Sequence, residues 1–267
     1  MVADIQRKTI ANIKKGMRAA QRTGKVVVLF ALLACVCIPL FAETEYTDEY
    51  LYNAYLRRDM DAWKQYLDNS PWEKLSICEK QRYLNYEYGF IAPAIDNKQP
   101  WAEEYLHAFE RHVEEMYKAK HISEAHYYMY MSSVCAYDFL LHTGHLFSSG
   151  LKAFKYVRKA TELAPEDPFV LTLMANMEFY APAGFGGNKK DALERFHKAQ
   201  RLFETTTSYQ HLWNYASMRL CIAQCYDKTG ETEKAIAVCK DILTSIPDFE
   251  YIRDEYLPAL EKRANKQ

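Results

Sequence analysis

The chain has 267 residues, 49% of them apolar and 26% charged, with a net charge of −1. That balance excludes a disordered chain, which combines low hydrophobicity with high net charge. Seven Lys/Arg fall within residues 1–42 against Asp4 alone, so the remainder is acidic, which argues against nucleic acid as the main partner because phosphate binding needs a clustered basic face.

In chain order, a basic lead ends at Lys25 and an apolar run follows from Val26 to Ala42, broken by Pro39 and ending at a small residue before polar Glu43-Thr44-Glu45. Basic, apolar, helix-breaker, small residue is the order of an export signal, which places residues 1–42 outside the mature fold. Met17 would make a more ordinary start. Two alternatives stand beside a cleaved signal. One is a retained anchor, because seventeen residues reach the short edge of the ~20 a spanning helix needs. The other is a lipoprotein, because Leu32-Leu33-Ala34-Cys35 has the form of a lipobox. Five cysteines follow: Cys78, Cys135, Cys221, Cys225 and Cys239, all within expected helices, where a small apolar residue suits core packing. Cys225 and Cys239 fall on paired helices and could in principle bridge.

Residues 43–122 read as an N-terminal helical region, a degenerate repeat or a cap. Asp61 is the expected N-cap of a helix over 62–67, and Pro71 fits the first turn of a helix over 72–90. A turn is expected from Ala92-Pro93 to Gln99-Pro100. Over 101–119, Ala102, Leu106, Phe109, Val113 and Met116 form one apolar stripe at helical spacing. Residues 123–267 then alternate helices at 123–141, 151–163, 168–180 and 189–204, with Asp167 and Asn188 as N-caps. A last pair lies within 216–249, with Gly230 at its turn, and residues 205–213 are expected to extend its first helix backwards. Residues 248–262, apolar on one side and charged on the other, suit a terminal lid.

Within this stretch small residues recur. Ala136 and Ala175 lie 39 apart, as do Ala153 and Ala192, so two adjacent units share an insertion of five over a 34-residue period. Ala223 and Ala235, with Tyr226, Cys239 and Pro247, fit the 34-residue template without insertion. These offsets resemble the tetratricopeptide repeat. Pro182-Ala-Gly-Phe-Gly-Gly-Asn188 also looks like the P-x-x-F-G-G-[DN] insert of a group of bacterial envelope tetratricopeptide proteins. The resemblance covers about residues 129–260. It implies an all-α, short right-handed solenoid of helix pairs with an N-terminal helical cap and a C-terminal capping helix. Its expected function is that of a non-enzymatic exported scaffold, periplasmic or envelope-associated, holding a protein or peptide in a concave groove. The alternative is an accessory protein of an envelope uptake system that binds a sugar or organic acid. Arg219 departs from the pattern, standing where a large apolar residue is usual.

The resemblance places the groove on the first helix of each pair: Tyr130, Ser133, Tyr137 and Leu140, then Phe169, Thr172, Asn176, Phe179 and Tyr180, then Ser217, Leu220, Gln224, Asp227 and Lys228. Tyr130, Tyr137, Asn176, Phe179, Tyr180, Gln224, Asp227 and Lys228 are the foremost contact residues, because aromatic rings and amides suit a peptide backbone or a sugar face. No catalytic constellation, cofactor or metal site is expected. Gly184 to Lys190 lacks the spacing of a nucleotide loop and reads as a tight connection capped by Asn188. His142 and His145 read as the end of a helix, where a partly positive imidazole suits the dipole.

Overall fold

A computed structural model describes residues 46–206 and 212–266, and the expected export segment 1–42 lies outside them. The described residues contain eleven α-helices and no strand, an all-α helical-repeat architecture. They are α1 (Asp48–Leu56), α2 (Met60–Asn69), α3 (Ile77–Asp96), α4 (Ala102–Lys118), α5 (Glu124–Leu141), α6 (Leu151–Leu163), α7 (Pro168–Tyr180), α8 (Lys189–Thr206), α9 (Trp213–Lys228), α10 (Thr232–Ser245) and α11 (Leu257–Ala264). Each packs on its successor, and α5, α7 and α9 also touch one another in turn. Residues from Tyr46 onward form one compact unit, in which α4 and α5 pack together across the expected 122/123 boundary.

Local chemistry sets most helix starts. The Asp167 carboxylate accepts from Phe169 N at 2.9 Å and Val170 N at 3.1 Å, and Pro168, lacking an N–H, takes the first turn. The Asn188 side chain accepts from Lys190 N and Asp191 N. Four expectations are corrected. Asp59, not Asp61, caps α2, accepting from Ala62 N at 3.2 Å. The helix α3 starts at Ile77 after a 3-10 turn at Trp72–Lys74, held by a Ser76/Glu79 capping box. It also runs through Pro93 to Asp96: the proline lacks the N–H that would reach Gly89 O, while its own carbonyl accepts from both Asn97 N–H and the Asn97 side-chain amide. Finally, α9 begins at Trp213 after Leu212, while Thr205 and Thr206 belong to α8; residues 207–211 lie outside the described residues.

The repeat core is built on small residues. Ala153, Ala192 and Ala235 on the second helices are fully buried, as are Ala175 and Ala223 on the first helices. Ala136 is only half-buried. One turn before it, Ser132 is fully buried instead and its hydroxyl donates to Ala153 O at 2.8 Å, so α5 meets α6 through Ser132. Arg219 replaces the usual apolar residue by lying across α10, donating to Ser245 Oγ at 2.7 Å and Asp241 at 2.6 Å. At the C-terminus, π-type turns at Tyr251–Tyr256 lead into α11, and Ile252 and Leu260 are fully buried beneath this lid.

The first helices are joined by aromatic rings. Trp63 is fully buried, donates to Leu51 O at 2.7 Å, and meets Tyr55, Tyr86 and Trp213 at 5.0–5.8 Å between centroids. Trp213, the first residue of α9, lies so close to α3 that a Cβ on Gly89 would sit 2.5 Å from its ring. Asn85 on α3 and Asn214 on α9 exchange amide hydrogen bonds at 3.0 and 2.9 Å. Tyr55 also packs on Phe249, and Arg58 pairs with Glu255 at 2.5 Å. The start of the described chain therefore closes onto its third repeat and its lid.

Candidate functional site

The first helices of the three pairs, α5, α7 and α9, supply the expected inner face, and the closure by α1 and α3 divides that face in two. At the N-terminal ends of α5, α7 and α9 it is filled. Tyr130 is buried against Phe109 and Tyr88. Asn85, Tyr88, Met129, Phe169, Thr172 and Asn214 surround a cavity of about 20 Å³, enough for one water and no larger ligand. No extended peptide can run through this part.

Toward the C-terminal ends the face is different. Tyr137 donates its hydroxyl to Tyr88 O at 3.0 Å, and burial raises its phenol pKa well above the ordinary value. Asn176 lies beside the Tyr88 hydroxyl, yet its buried Oδ1 has no hydrogen-bond partner. A buried amide oxygen without a partner carries a desolvation cost, and it marks a place where a donor would be accepted. Phe179 is buried and meets Tyr180 edge-on at 4.8 Å. Tyr180 leaves 69% of its surface to solvent, although its hydroxyl reaches the buried Cys221 thiol, with Tyr55 and Asp96 nearby. Burial of its hydroxyl end, then Cys221, raises its phenol pKa. Burial likewise pushes the Cys221 thiol up to about 12, so it is an inert packing group. Gln224 is half-buried on the same helix.

At the far edge, Asp227 is held by the terminal segment, accepting from Tyr256 Oη at 3.3 Å and from Arg263 at 2.5 Å. Lys228 is exposed beyond it. The structure thus brings Tyr137 and Asn176 to Tyr88, packs Phe179 against Tyr180, leaves Gln224 one turn beyond Cys221 on α9, sets Tyr130 in the closed core and joins Asp227 to α11. Tyr55, Tyr88 and Cys221 enter this neighbourhood without having been expected there. Tyr55 and Tyr88 come from helices outside the repeat pattern, so no repeat offset could have pointed to them.

The connections between the paired helices border this end. Leu140 and Leu151 flank the first and Tyr180 opens the second, each with about half or more of its surface exposed. In the second, the N–H groups of Gly186, Gly187 and Asn188 bond to Ala183 O, Pro182 O and Glu178 O, so they are not free to cradle an anion. Another hollow, of about 210 Å³, lies away from these loops between Asp59, Asp61, Phe90, Asn97 and Trp101, below the ~300 Å³ at which ligand pockets begin.

All five described cysteines are free. Cys135, Cys221, Cys225 and Cys239 are buried as expected, whereas Cys78 is exposed, because it lies on the solvent side of the first turn of α3. Among the described residues, no helix is long and apolar enough to cross a membrane.

No protein-family model matches the chain, and no curated protein matches it. Among solved structures, the chain is similar to the HusA haemophore from Porphyromonas gingivalis, at 19% identity over 70% of this chain and 96% of that one, with a TM-score of 0.47. A similarity of that depth bears on neither the ligand nor the chemistry of this chain.

Proposed function

We propose that the chain is an exported, non-enzymatic scaffold of the tetratricopeptide type that docks a partner protein at the end of its inner face, around Tyr180, rather than along a continuous groove. The observation that carries this reading is the contrast within the inner face: one end is closed to the size of a water, while the other presents Tyr180 with 69% of its surface exposed. Exposed Leu140 and Leu151, which flank the neighbouring connection, support a flat, partly apolar contact. The apolar order of residues 26–42 after a basic lead supports export.

A photo-crosslinking residue placed at position 180 or 140 is expected to trap one reproducible adduct in envelope extract. The same residue at Arg158, exposed on α6, should not. Tyr180→Ala is expected to weaken capture about tenfold or more, as for an aromatic anchor. Equal trapping from all three positions would overturn the reading.

A second reading, a small ligand at the same end, is favoured by the unpartnered Asn176 Oδ1. It predicts a melting temperature that rises with ligand concentration, lost in Asn176→Leu, when sugars, organic acids and planar aromatic ligands including haem are used as probes.

A further inference from the structure

The connection between α5 and α6 brings together three groups that the inner face does not use. Asp138, His142 and His145 form a D-x3-H-x2-H pattern over the last turn of α5 and the 3-10 turn Thr143–His145. One ligand atom from each lies within 4.8 Å of the others. Asp138 Oδ1 is 3.2 Å from His142 Nδ1, and its Oδ2 is 3.1 Å from His145 Nδ1. Ser149 donates to Oδ2 from the other side of the loop. Across the ring, His142 Nε2 faces Glu103 Oε1 of α4 at 3.4 Å.

The arrangement around His142 is the informative part. His142 Nδ1 lies within hydrogen-bond distance of Asp138 Oδ1; in the tautomer protonated at Nε2, the nitrogen that faces Glu103, Nδ1 instead aims a lone pair at that carboxylate oxygen. Two acceptors at 3.2 Å repel unless a positive centre lies between them. A proton would serve, and so would a metal ion. Carboxylate partners on the outer ring nitrogen are the usual means of presenting the inner one to a metal. The spacing suits an ion as well: a tetrahedral site with bonds of about 2.0–2.1 Å has edges of about 3.3–3.4 Å. The separations His142 Nδ1–Asp138 Oδ1 and His145 Nδ1–Asp138 Oδ2 are each within a few tenths of an ångström of that edge, and because they end on different oxygens the carboxylate would bridge to the ion through both oxygens or turn to offer one. All three ligand atoms lie within 4.8 Å of one another, and gathering them on one ion requires a rotation of the two partly exposed rings.

We propose that Asp138, His142 and His145 bind one divalent transition cation of the zinc class, with Glu103 as the positioning residue for His142. Two imidazoles and one carboxylate favour zinc over calcium or magnesium, which take oxygen ligands. Three protein ligands leave a fourth position for water. The ion would tie the end of α5 to the connection that carries the insertion shared by the first two repeats.

The test is equilibrium dialysis of the chain from residue 43 to residue 267 with ZnCl₂, backed by the visible spectrum of the Co²⁺ form. One ion per chain and a tetrahedral-type Co²⁺ spectrum are expected. Binding should fall at least about a hundredfold in His145→Ala and in Asp138→Ala. Glu103→Gln should weaken it about tenfold while stoichiometry stays at one. Circular dichroism and melting of the metal-free variants, unchanged because these side chains are partly exposed, separate lost ligation from lost folding. If the variants fail to fold, loss of the Co²⁺ spectrum on adding diethyl pyrocarbonate to the native chain, with protection of both histidines by Zn²⁺, reads the same site. No saturable Zn²⁺ binding to the native chain, or binding equally tight in folded His145→Ala, would overturn the proposal and assign the positive centre to a proton.

Discussion

Helices α1–α4 and helices α5–α11 solve the same packing problem by different means. In the later part, helices approach through alanines: Ala153, Ala175, Ala192, Ala223 and Ala235 have no exposed surface, and large rings such as Phe196 and Phe203 fill the space between pairs. In the earlier part, rings do the joining. Trp63, Trp72, Tyr66, Tyr83 and Tyr86 form a continuous set of edge and tilted contacts, extended by His112 stacked on Trp72 at 3.9 Å. A small-residue seam demands a fixed spacing in sequence, because only certain offsets bring two helices together. An aromatic cluster demands only enough rings near one another. The first kind of packing repeats and the second does not.

The comparison can be broken most directly at Trp63. It is fully buried and its indole N–H is bonded to Leu51 O. Trp63→Ala is expected to destabilise by about 3–5 kcal/mol, the range for emptying a large aromatic site. Urea denaturation measures it. A cost under about 1 kcal/mol would mean that α1 and α2 are an appendage and not part of one core.

The junction between the two parts is tested at Gly89. A methyl there would lie 2.5–2.6 Å from the Trp213 ring and 2.9 Å from Trp63. Gly89→Ala is expected to cost about 1–3 kcal/mol by overpacking, despite the higher helix propensity of alanine. Trp213→Leu in the same chain should recover part of that loss, a non-additivity that only direct contact produces. Simple addition of the two effects would place the strain elsewhere.

Within the repeats, Asp167 links a helix cap to pH. Burial alone would raise its carboxyl pKa. His126, with Nε2 3.3 Å away, and the N–H groups of Val170 and Phe169 outweigh burial and hold the pKa below the usual carboxylate value. A depressed folded value means that the stabilisation is present above the unfolded value of about 3.9 and is lost as pH falls through the folded value. Asp167→Ala should cost about 1 kcal/mol at pH 7, as for other N-caps. Asp167→Asn keeps the accepting oxygen but cannot titrate, so its stability should vary less with pH below about 4. An identical acid profile for both chains would remove Asp167 from the acid response.

How far the sequence foretells these features follows the same division. Ala102, Leu106, Phe109, Val113 and Met116 stand at helical spacing, and all five are buried. The caps Asp167 and Asn188 were legible because a short polar side chain before an apolar run has few other uses. The close contact of Asn85 with Asn214 was not, because an amide pair 129 residues apart leaves no periodic trace. For that reason the alternating helices α5 to α10 could be read from the sequence while the contacts of α1 and α3 with α9 could not. The shift from Ala136 to Ser132 escaped for a related reason: serine satisfies the small-residue requirement only when its hydroxyl finds a carbonyl, here Ala153 O.

The smallest effect concerns helix ends. Among the described residues, four helices close with the same pair of backbone bonds, and at α9 the left-handed residue is Gly230, φ 82°. At α1, α3 and α4 the equivalent residues are Arg58, Lys98 and Lys120, with φ of 59°, 54° and 60°. Glu231 N bonds to Tyr226 O at 2.8 Å, and His121 N bonds likewise to Met116 O at 2.8 Å, so the geometry is common to both parts. A side chain in this conformation crowds its own carbonyl, and glycine does not. Lys120 is exposed, so replacing it removes little else. Lys120→Gly is therefore expected to stabilise by about 0.5–1 kcal/mol, a net gain because relief of strain exceeds the added entropy of the unfolded chain. The melting temperature should rise by a few degrees at most. A fall would mean that Lys120 holds the end of α4 through its side chain, and the likeness between the two kinds of helix end would then be one of backbone geometry without a shared energetic cause.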